Sequence, residues 1–306
     1  MRIPRAIPAL FLFCAAAPAA SAMISADGGA PAGAAEPPSG LEEIWNRTAQ
    51  LAGGTGTYLG KSADGTRWML TANHVKDNSG VIATTDGGGI ALSYAGTARV
   101  LKNPDGSDAD LRLVAVSVSG EDAAYLDALG DIGVFSETLP RNAPLYAVGT
   151  GCALEIGKSY ATGTRRKQAA EFFRDFSTTL ENGNAVGAEV FSSQGKSFQA
   201  GLYDSGSGVF ARDAAGTWRL AGVVLAVGGT SDTGGNTSNE VGFFENASGE
   251  NPLTCVTYFA DISRYAAQID EALESGAPSA VPEPSALGLL AGAFALACAA
   301  ARRRRK

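Results

Sequence analysis

The chain has 306 residues, of which 45% are hydrophobic and 18% are charged, and a formal net charge of −7. This apolar content is enough for one sizeable core or two small ones, so a globally disordered chain is excluded. The 39 glycines and the sparse charges are typical of β-rich exported proteins with many tight turns.

Residues 1–22 have the three parts of a secretory signal peptide. Arg2 and Arg5 precede an apolar run over residues 9–19, and the small residues Ala20-Ser21-Ala22 form a cleavage site. Because this run is shorter than the ~20 residues that span a bilayer, a signal peptide is favoured over an N-terminal membrane anchor. Residues 23–40 are rich in Pro, Gly and Ala, which predicts a flexible leader.

Residues 41–276 are expected to form one folded, all-β domain. Short apolar or alternating runs punctuated by glycine and asparagine predict ten or more strands, and therefore barrels or sandwiches. Tight hairpin loops are expected at Asp64-Gly65, Asn182-Gly183 and Ala215-Gly216. In chain order, the runs are GTYLG, RWMLT, GVIATT, ARVLK, LRLVAVSV, IGVFS, LYAVG, AEVFSS, SGVFA and WRLAGVVLAV.

The clearest helix is predicted at the end of this domain. Asp261 is a plausible N-cap, and Gly276 stops the pattern. Apolar residues recur at helical spacing and define one buried face. That face consists of Ile262, Tyr265, Ala266, Ile269, Ala272 and Leu273.

The last 30 residues have three parts: a spacer over 277–285 that contains Val-Pro-Glu-Pro, an uncharged segment over 286–301, and a basic tail over 302–306. The uncharged segment and its cations predict a short transmembrane segment with a cytoplasmic stop. This order resembles the PEP-CTERM sorting signal of Gram-negative bacteria. The resemblance implies processing by an exosortase-type transpeptidase and a final location at the cell surface or in extracellular matrix. A permanent inner-membrane anchor is the alternative.

Without residues 1–22 and 282–306, which hold seven of the 24 cations and one of the 31 anions, the body has a charge of −13. Such an acidic body does not suit a nucleic-acid binder. Of the four cysteines, only Cys152 and Cys255 lie outside the signal and the tail. We predict that they form one disulfide in an oxidising compartment, since two cysteines without a histidine cluster do not make a structural zinc site.

Three residues stand out as candidates for chemistry. His74, the only histidine of the chain, follows the apolar run RWMLT, and Asp110 directly precedes an alternating strand. Ser205 lies in the run Asp-Ser-Gly-Ser-Gly. Taken singly, each has an ordinary interpretation, as a structural histidine, a solvated turn aspartate and a flexible turn.

Together, the segments LTANHV, DADLRLV and YDSGSGVF resemble the trypsin/chymotrypsin-like serine protease family, in its order His, Asp, Ser. The resemblance implies two packed six-stranded β-barrels with the site in the cleft between them. It further implies a serine endopeptidase, acting on protein or peptide substrates through an acyl-enzyme without a metal or organic cofactor. Ser205 would be the nucleophile, His74 the base and then the acid, and Asp110 the group that orients His74.

The same resemblance implies that the backbone N–H groups of Tyr203 and Ser205 form the oxyanion hole. Tyr203 departs from the family, which usually has glycine there. In activated members of the family, the aspartate that matches Asp204 pairs with a newly released N-terminal amine, and no matching activation sequence precedes this domain. Either Asp204 has another partner, such as an arginine, or no activation cleavage is needed.

The resemblance places Gln199 at the base of the substrate pocket and Leu225, Ala226 and Val227 in one wall. A neutral Gln199 does not predict a preference for Arg or Lys, and the wall lacks the usual Ser-Trp-Gly. We interpret Thr164–Lys167, TRRK, as a solvated loop. The alternative function is a pseudoprotease that acts as a surface or matrix-binding module.

Overall fold

The computed structural model describes residues 24–25, 37–85, 88–151, 165, 167–180, 182–190, 198–228 and 256–275. The predicted signal peptide, the spacer, the transmembrane segment and the basic tail lie outside these residues. So do Cys152 and Cys255, whose predicted disulfide stays a prediction. Within the described parts of the chain, no helix is long and apolar enough to cross a membrane.

Six antiparallel strands of the N-terminal half close into a barrel in the order β2-β3-β4-β7-β6-β5. Strand β4 pairs with β7 over its whole length, and its last residue, Ala72, lies opposite Leu111. Inward-facing side chains such as Trp68 and Leu70 are completely buried. The strands are β2 (Thr48–Leu51), β3 (Thr55–Lys61), β4 (Arg67–Ala72), β5 (Gly80–Ala83), β6 (Gly89–Lys102) and β7 (Asp108–Ser117).

The C-terminal half forms a seven-stranded antiparallel sheet in the order β10-β11-β15-β14-β13-β8-β9. Its two edge strands, β9 and β10, follow one another in the chain with only Arg174 and Asp175 between them. The sheet therefore curls, because its two edge strands are joined by only these two residues. Its strands are β8 (Pro144–Gly149), β9 (Gln168–Phe173), β10 (Phe176–Thr179), β11 (Ala185–Val190), β13 (Gly208–Arg212), β14 (Trp218–Gly228) and β15 (Val256–Asp261).

This second unit corrects the expectation of two six-stranded barrels. The first barrel is closed as expected, whereas the described residues of the second unit form a curled sheet of seven strands. The seventh strand arises because Arg174 and Asp175 interrupt what would otherwise be one long strand. Arg174 N donates to Ala143 O at 3.0 Å, and Asn142 N donates to Arg174 O at 2.7 Å, so this residue bonds with a turn instead of a strand.

The C-terminal helix is confirmed. A 3-10 turn over Ile262–Arg264 leads into α3 (Ala266–Ser275), and the Asp261 side chain caps that turn by accepting from Ser263 N. Five of the six apolar residues predicted for one face are buried, and Leu273 is partly buried. The Tyr265 hydroxyl donates to Asn103 Oδ1 at 2.9 Å. The end of the domain therefore packs against the first barrel.

Other local predictions gave mixed results. The three hairpin glycines, Gly65, Gly183 and Gly216, all have positive φ in tight turns, as expected. The run IGVFS is not a strand, because it crosses between the two units and makes a single bridge, Val134 to Leu220. Two helices were not predicted, α1 (Glu42–Trp45) and α2 (Gly120–Ala128). In the predicted leader, β1 (Ile24–Ser25) pairs with β12 (Phe198–Gln199).

Candidate active site

His74 and Asp110 are held together by the register of β4 and β7. Asn73 N donates to Asp110 O at 3.0 Å, which places the residue after β4 beside the start of β7. The two oxygens of the Asp110 carboxylate then accept from the backbone N–H of His74 at 2.8 Å and from His74 Nδ1–H at 2.7 Å. Since a carboxylate only accepts, this hydrogen bond requires a proton on Nδ1, and in the neutral imidazole Nε2 is then the acceptor. The imidazole side chain is 45% exposed and so accessible from solvent.

The second sheet also contributes to the position of Asp110. Asp110 N donates to Asn184 Oδ1 at 2.8 Å, and Asn184 is completely buried in the turn between β10 and β11. Asn103 Nδ2 donates to Asn182 O at 3.0 Å and secures the same turn against the first barrel. Sequence reasoning identified this turn as a hairpin but missed the role of Asn184, because nothing local connects residues 74 positions apart.

Ser205 lies in a loop that is bonded to both units. Thr55 N, from the first barrel, donates to Ser205 O at 2.8 Å, and Gly206 N donates to Val224 O, in the second sheet, at 2.8 Å. Gly206 has a φ of +89°, and a Cβ added there would lie 2.0 Å from Thr55 O and 2.3 Å from Thr71 Oγ1. Only glycine fits so close an approach, and its absent side chain lets the loop lie against β3 and β4.

The Ser205 hydroxyl points towards the second sheet. Ser205 Oγ donates to Leu225 O at 3.5 Å, and Leu225 is the residue at which β14 bulges between Val224 and Ala226. Among the described contacts, Ser205 and His74 form no hydrogen bond with each other. Such a bond is often long or misaligned without substrate and tightens in the Michaelis complex.

The backbone at Tyr203 and Ser205 presents two donors. Tyr203 has a φ of +72°, and neither its N–H nor that of Ser205 has a hydrogen-bond partner among the residues that the structure describes. The Tyr203 carbonyl is engaged, since Thr55 Oγ1 donates to it at 2.9 Å. Tyrosine therefore adopts a conformation that glycine would adopt more readily. Within the described residues, these two predicted oxyanion donors therefore have no competing acceptor.

Asp204 is buried directly behind this turn. Its carboxylate accepts from Gly151 N at 2.9 Å and from Gly201 N at 2.8 Å. Burial raises the pKa of Asp204 to about 7, although the two backbone hydrogen bonds and the charge of Arg165 oppose the shift. The expectation of another partner is thus met by two backbone amides, with an arginine acting on Asp204 through its charge.

The predicted pocket residues are only partly described. Leu225 is buried and Ala226 is half-buried in β14. The backbones of Gln199 and Val227 pair with Ile24 and Thr257, and their side chains lie outside the description. The structure therefore leaves the pocket assignment as a prediction.

The interpretation of Thr164–Lys167 as a solvated loop is wrong at two of its residues. Arg165 donates to main-chain oxygens of the first barrel and of the end of β8. Lys167 Nζ donates to Ala83 O at 2.8 Å, and burial lowers the pKa of Lys167 to about 7. The acidic overall charge favoured a solvated face, but hydrogen bonds to carbonyl oxygens hold these two half-buried cations against the protein.

The barrel, the second sheet and the C-terminal helix are consistent with a trypsin-like fold. One similar solved structure is an inactive serine-to-alanine mutant of Rv3671c from M. tuberculosis H37Rv, with a TM-score of 0.41 and 13% identity over 78% of this chain and 92% of that chain. Another is neuropsin, a serine protease expressed in the limbic system of mouse brain, with a TM-score of 0.46 and 15% identity over 76% and 96%. Both TM-scores are below 0.5. No family model matches the sequence, and no curated protein matches it.

Proposed function

We propose that the protein is an exported serine endopeptidase that hydrolyses peptide bonds through Ser205, His74 and Asp110. The observation that carries the proposal is the pair of hydrogen bonds from His74 to the Asp110 carboxylate, at 2.8 and 2.7 Å. This arrangement leaves Nε2 as the nitrogen that can act as a base, on an imidazole side chain that is 45% exposed. A buried structural histidine would need no such exposed acceptor.

In the proposed mechanism, the Ser205 hydroxyl rotates away from Leu225 O and attacks the carbonyl carbon of the substrate. His74 Nε2 accepts its proton, and Asp110 stabilises the resulting imidazolium through Nδ1–H. The N–H groups of Tyr203 and Ser205 donate to the developing oxyanion. His74 then donates its proton to the leaving amine, and a water molecule releases the acyl group by the same steps in reverse.

The cellular setting is part of the same proposal. Cleavage after residue 22 would export the domain, and exosortase-type processing near residue 285 would release it from the membrane segment at the cell surface or into extracellular matrix. Intact-mass analysis of the surface-located protein tests this step. We expect a mature chain without residues 286–306, whereas their persistence would indicate a permanent anchor.

A binding module without activity is the second candidate. The observation in its favour is the Ser205 hydroxyl, which donates to Leu225 O at 3.5 Å and not to His74. In a protein that never uses Ser205 as a nucleophile, the Ser205 hydroxyl could stay bonded to Leu225 O whichever partner the protein binds. The two candidates therefore differ in whether Ser205 reacts.

A fluorophosphonate probe separates them, because it reacts with a serine that a base has activated. We expect labelling of the secreted protein at Ser205, with the site found by peptide mass spectrometry. Labelling should disappear in Ser205→Ala and fall at least 100-fold in rate in His74→Ala. An unlabelled wild-type protein, or labelling that His74→Ala does not slow, would leave the binding module as the function.

A further inference from the structure

Tyr203 is kept in a strained conformation by contacts that lead to one guanidinium group. Its φ of +72° is unfavourable for a residue with a side chain, so surrounding contacts have to maintain it. The guanidinium carbon of Arg165 lies 4.7 Å from the centre of the Tyr203 ring, within the range of a cation–π interaction. This contact holds the side chain of Tyr203.

The carbonyl of Tyr203 is connected to the same guanidinium through two threonine hydroxyls. Arg165 Nη2 donates to Thr150 Oγ1 at 3.0 Å, Thr150 Oγ1 lies 2.7 Å from Thr55 Oγ1, and Thr55 Oγ1 donates to Tyr203 O at 2.9 Å. Each hydroxyl has one hydrogen to donate. Because Thr55 donates to Tyr203, it accepts from Thr150, whose oxygen accepts from Arg165. All three donors therefore point from Arg165 towards the Tyr203 carbonyl.

Arg165 itself is anchored to both units. Its Nε donates to Thr150 O at 2.8 Å, at the end of β8, and its Nη1 donates to Ala52 O at 3.0 Å, in the turn between β2 and β3. It also donates to Leu51 O and Gly54 O. A guanidinium supplies five donors in a rigid plane and stays charged at any pH the protein meets. Lysine could not make this set of contacts.

We infer that Arg165 is a positioning residue for oxyanion stabilisation, which holds Tyr203 in the left-handed conformation that turns its N–H towards the reacting carbonyl. The inference rests on the proposed peptidase function. Arg165 acts through the Tyr203 ring and through Thr150 and Thr55, and takes no part in bond making. This role of Arg165 explains how the chain can have tyrosine at position 203, where glycine would adopt the same backbone conformation without support.

The test compares Arg165→Met with Arg141→Met in the mature secreted protein. Arg141 is the matched control, since its side chain is 71% exposed and pairs only with Asp175 across the described contacts. We expect Arg165→Met to slow fluorophosphonate labelling and to lower kcat by about 10- to 100-fold, with KM changed less than about threefold. The expected loss lies below the ~100- to 1000-fold effect of deleting an oxyanion donor, because the Tyr203 N–H is displaced and not removed. Arg141→Met should match the wild type in both readouts.

A double-mutant cycle with Tyr203→Gly separates positioning from a general loss of stability. Glycine adopts a positive φ without support. The fold-decrease in labelling rate that Arg165→Met causes should therefore be at least tenfold smaller in the Tyr203→Gly background than in the wild type. Millimolar guanidinium should partly restore labelling of Arg165→Ala, and Arg165→Lys should stay impaired. Thr150→Val, which interrupts the connection to the carbonyl alone, should have an intermediate effect.

The outcomes separate the two proposals. If the wild type is not labelled, the peptidase function fails, and the role of Arg165 fails with it. If the wild type is labelled and folded Arg165→Met reacts at the same rate, only the role of Arg165 is overturned. Equal effects of Arg165→Met in the tyrosine and glycine backgrounds would also overturn it, because they would mean that Arg165 supports the fold and not Tyr203.

Discussion

His74 and Asp110 lie at the ends of two paired strands of the first barrel, whereas Ser205 lies in a loop held by contacts with both units. The first pair needs only the register of β4 and β7 and one asparagine from the second sheet. The Ser205 loop needs a left-handed tyrosine, a glycine in contact with Thr55 and a buried carboxyl. Regular strands can position a base, but a nucleophile beside two free N–H groups requires backbone that no sheet provides.

The largest effect tests whether these two regions act together. Ser205→Ala and His74→Ala should each lower kcat/KM by about 10,000-fold or more, on a peptide chosen from a library cleavage profile. The double variant should be no slower than either single variant, because residues of one catalytic unit are not additive. Losses that multiply in the double variant would show that the two regions contribute independently.

The next effect concerns the buried carboxyl of the loop. Because burial raises the pKa of Asp204 to about 7, the folded state favours its protonated form. The resulting stabilisation is complete below pH ~4 and is lost as the pH rises through 7, by on the order of 4 kcal/mol. Asp204→Asn removes this titration. The difference in unfolding free energy between wild type and variant, from urea titrations, should therefore shift in favour of the variant from pH 4 to pH 8.

Asp213→Asn is the control for this measurement. Hydrogen bonds from Arg219 and from the backbone of Thr217 and Ala215 lower the pKa of Asp213 at the surface. Its stabilisation is present at neutral pH and is lost on acidification, so the difference should change in the opposite direction. A pH-independent difference for Asp204→Asn would mean that Asp204 is ionised throughout this range.

A smaller effect distinguishes contact from conformation in the same loop. Gly206 and Gly216 have similar φ values of +89° and +81°, but a Cβ at Gly206 meets Thr55 O at 2.0 Å, and one at Gly216 meets nothing within 4 Å. Gly206→Ala should lower the unfolding free energy by about 3 kcal/mol or more, and Gly216→Ala by about 1 kcal/mol. Equal losses in thermal or urea unfolding would show that the loop does not press against the first barrel.

The smallest effect tests how the second sheet contributes to the position of Asp110 and His74. Asn184→Ala leaves Asp110 N without its acceptor, which should lower kcat about threefold to tenfold and stability by about 1–2 kcal/mol. The pH profile of kcat/KM, which reports the ionisation of the free enzyme, should shift as Asp110 moves relative to His74. An unchanged profile with only lower stability would assign Asn184 a purely structural role.

The fold was more predictable than the details of the site. Nine of the ten apolar runs quoted from the sequence overlap strands, because alternation along a strand is a local signal. The exception, IGVFS, has the right composition but contacts β14 through a single bridge, Val134 to Leu220, and does not extend into a ladder. Strands β2, β9, β10 and β15 and helices α1 and α2 were missed, since these segments are short or lack a clear periodic apolar pattern.

The sequence by itself determined where most of the strands lie along the chain, the turn glycines, the buried face of the C-terminal helix and the identity of His74, Asp110 and Ser205 as candidates. These depend on residue periodicity, on the lack of a side chain at glycine and on motif order. The tertiary structure alone decided that Asn184 meets Asp110, that the Gly151 amide binds Asp204, and that the Arg165 guanidinium lies over the Tyr203 ring. Each of these contacts joins segments that are distant in the chain or fixes a backbone angle through such segments, so no local pattern encodes it.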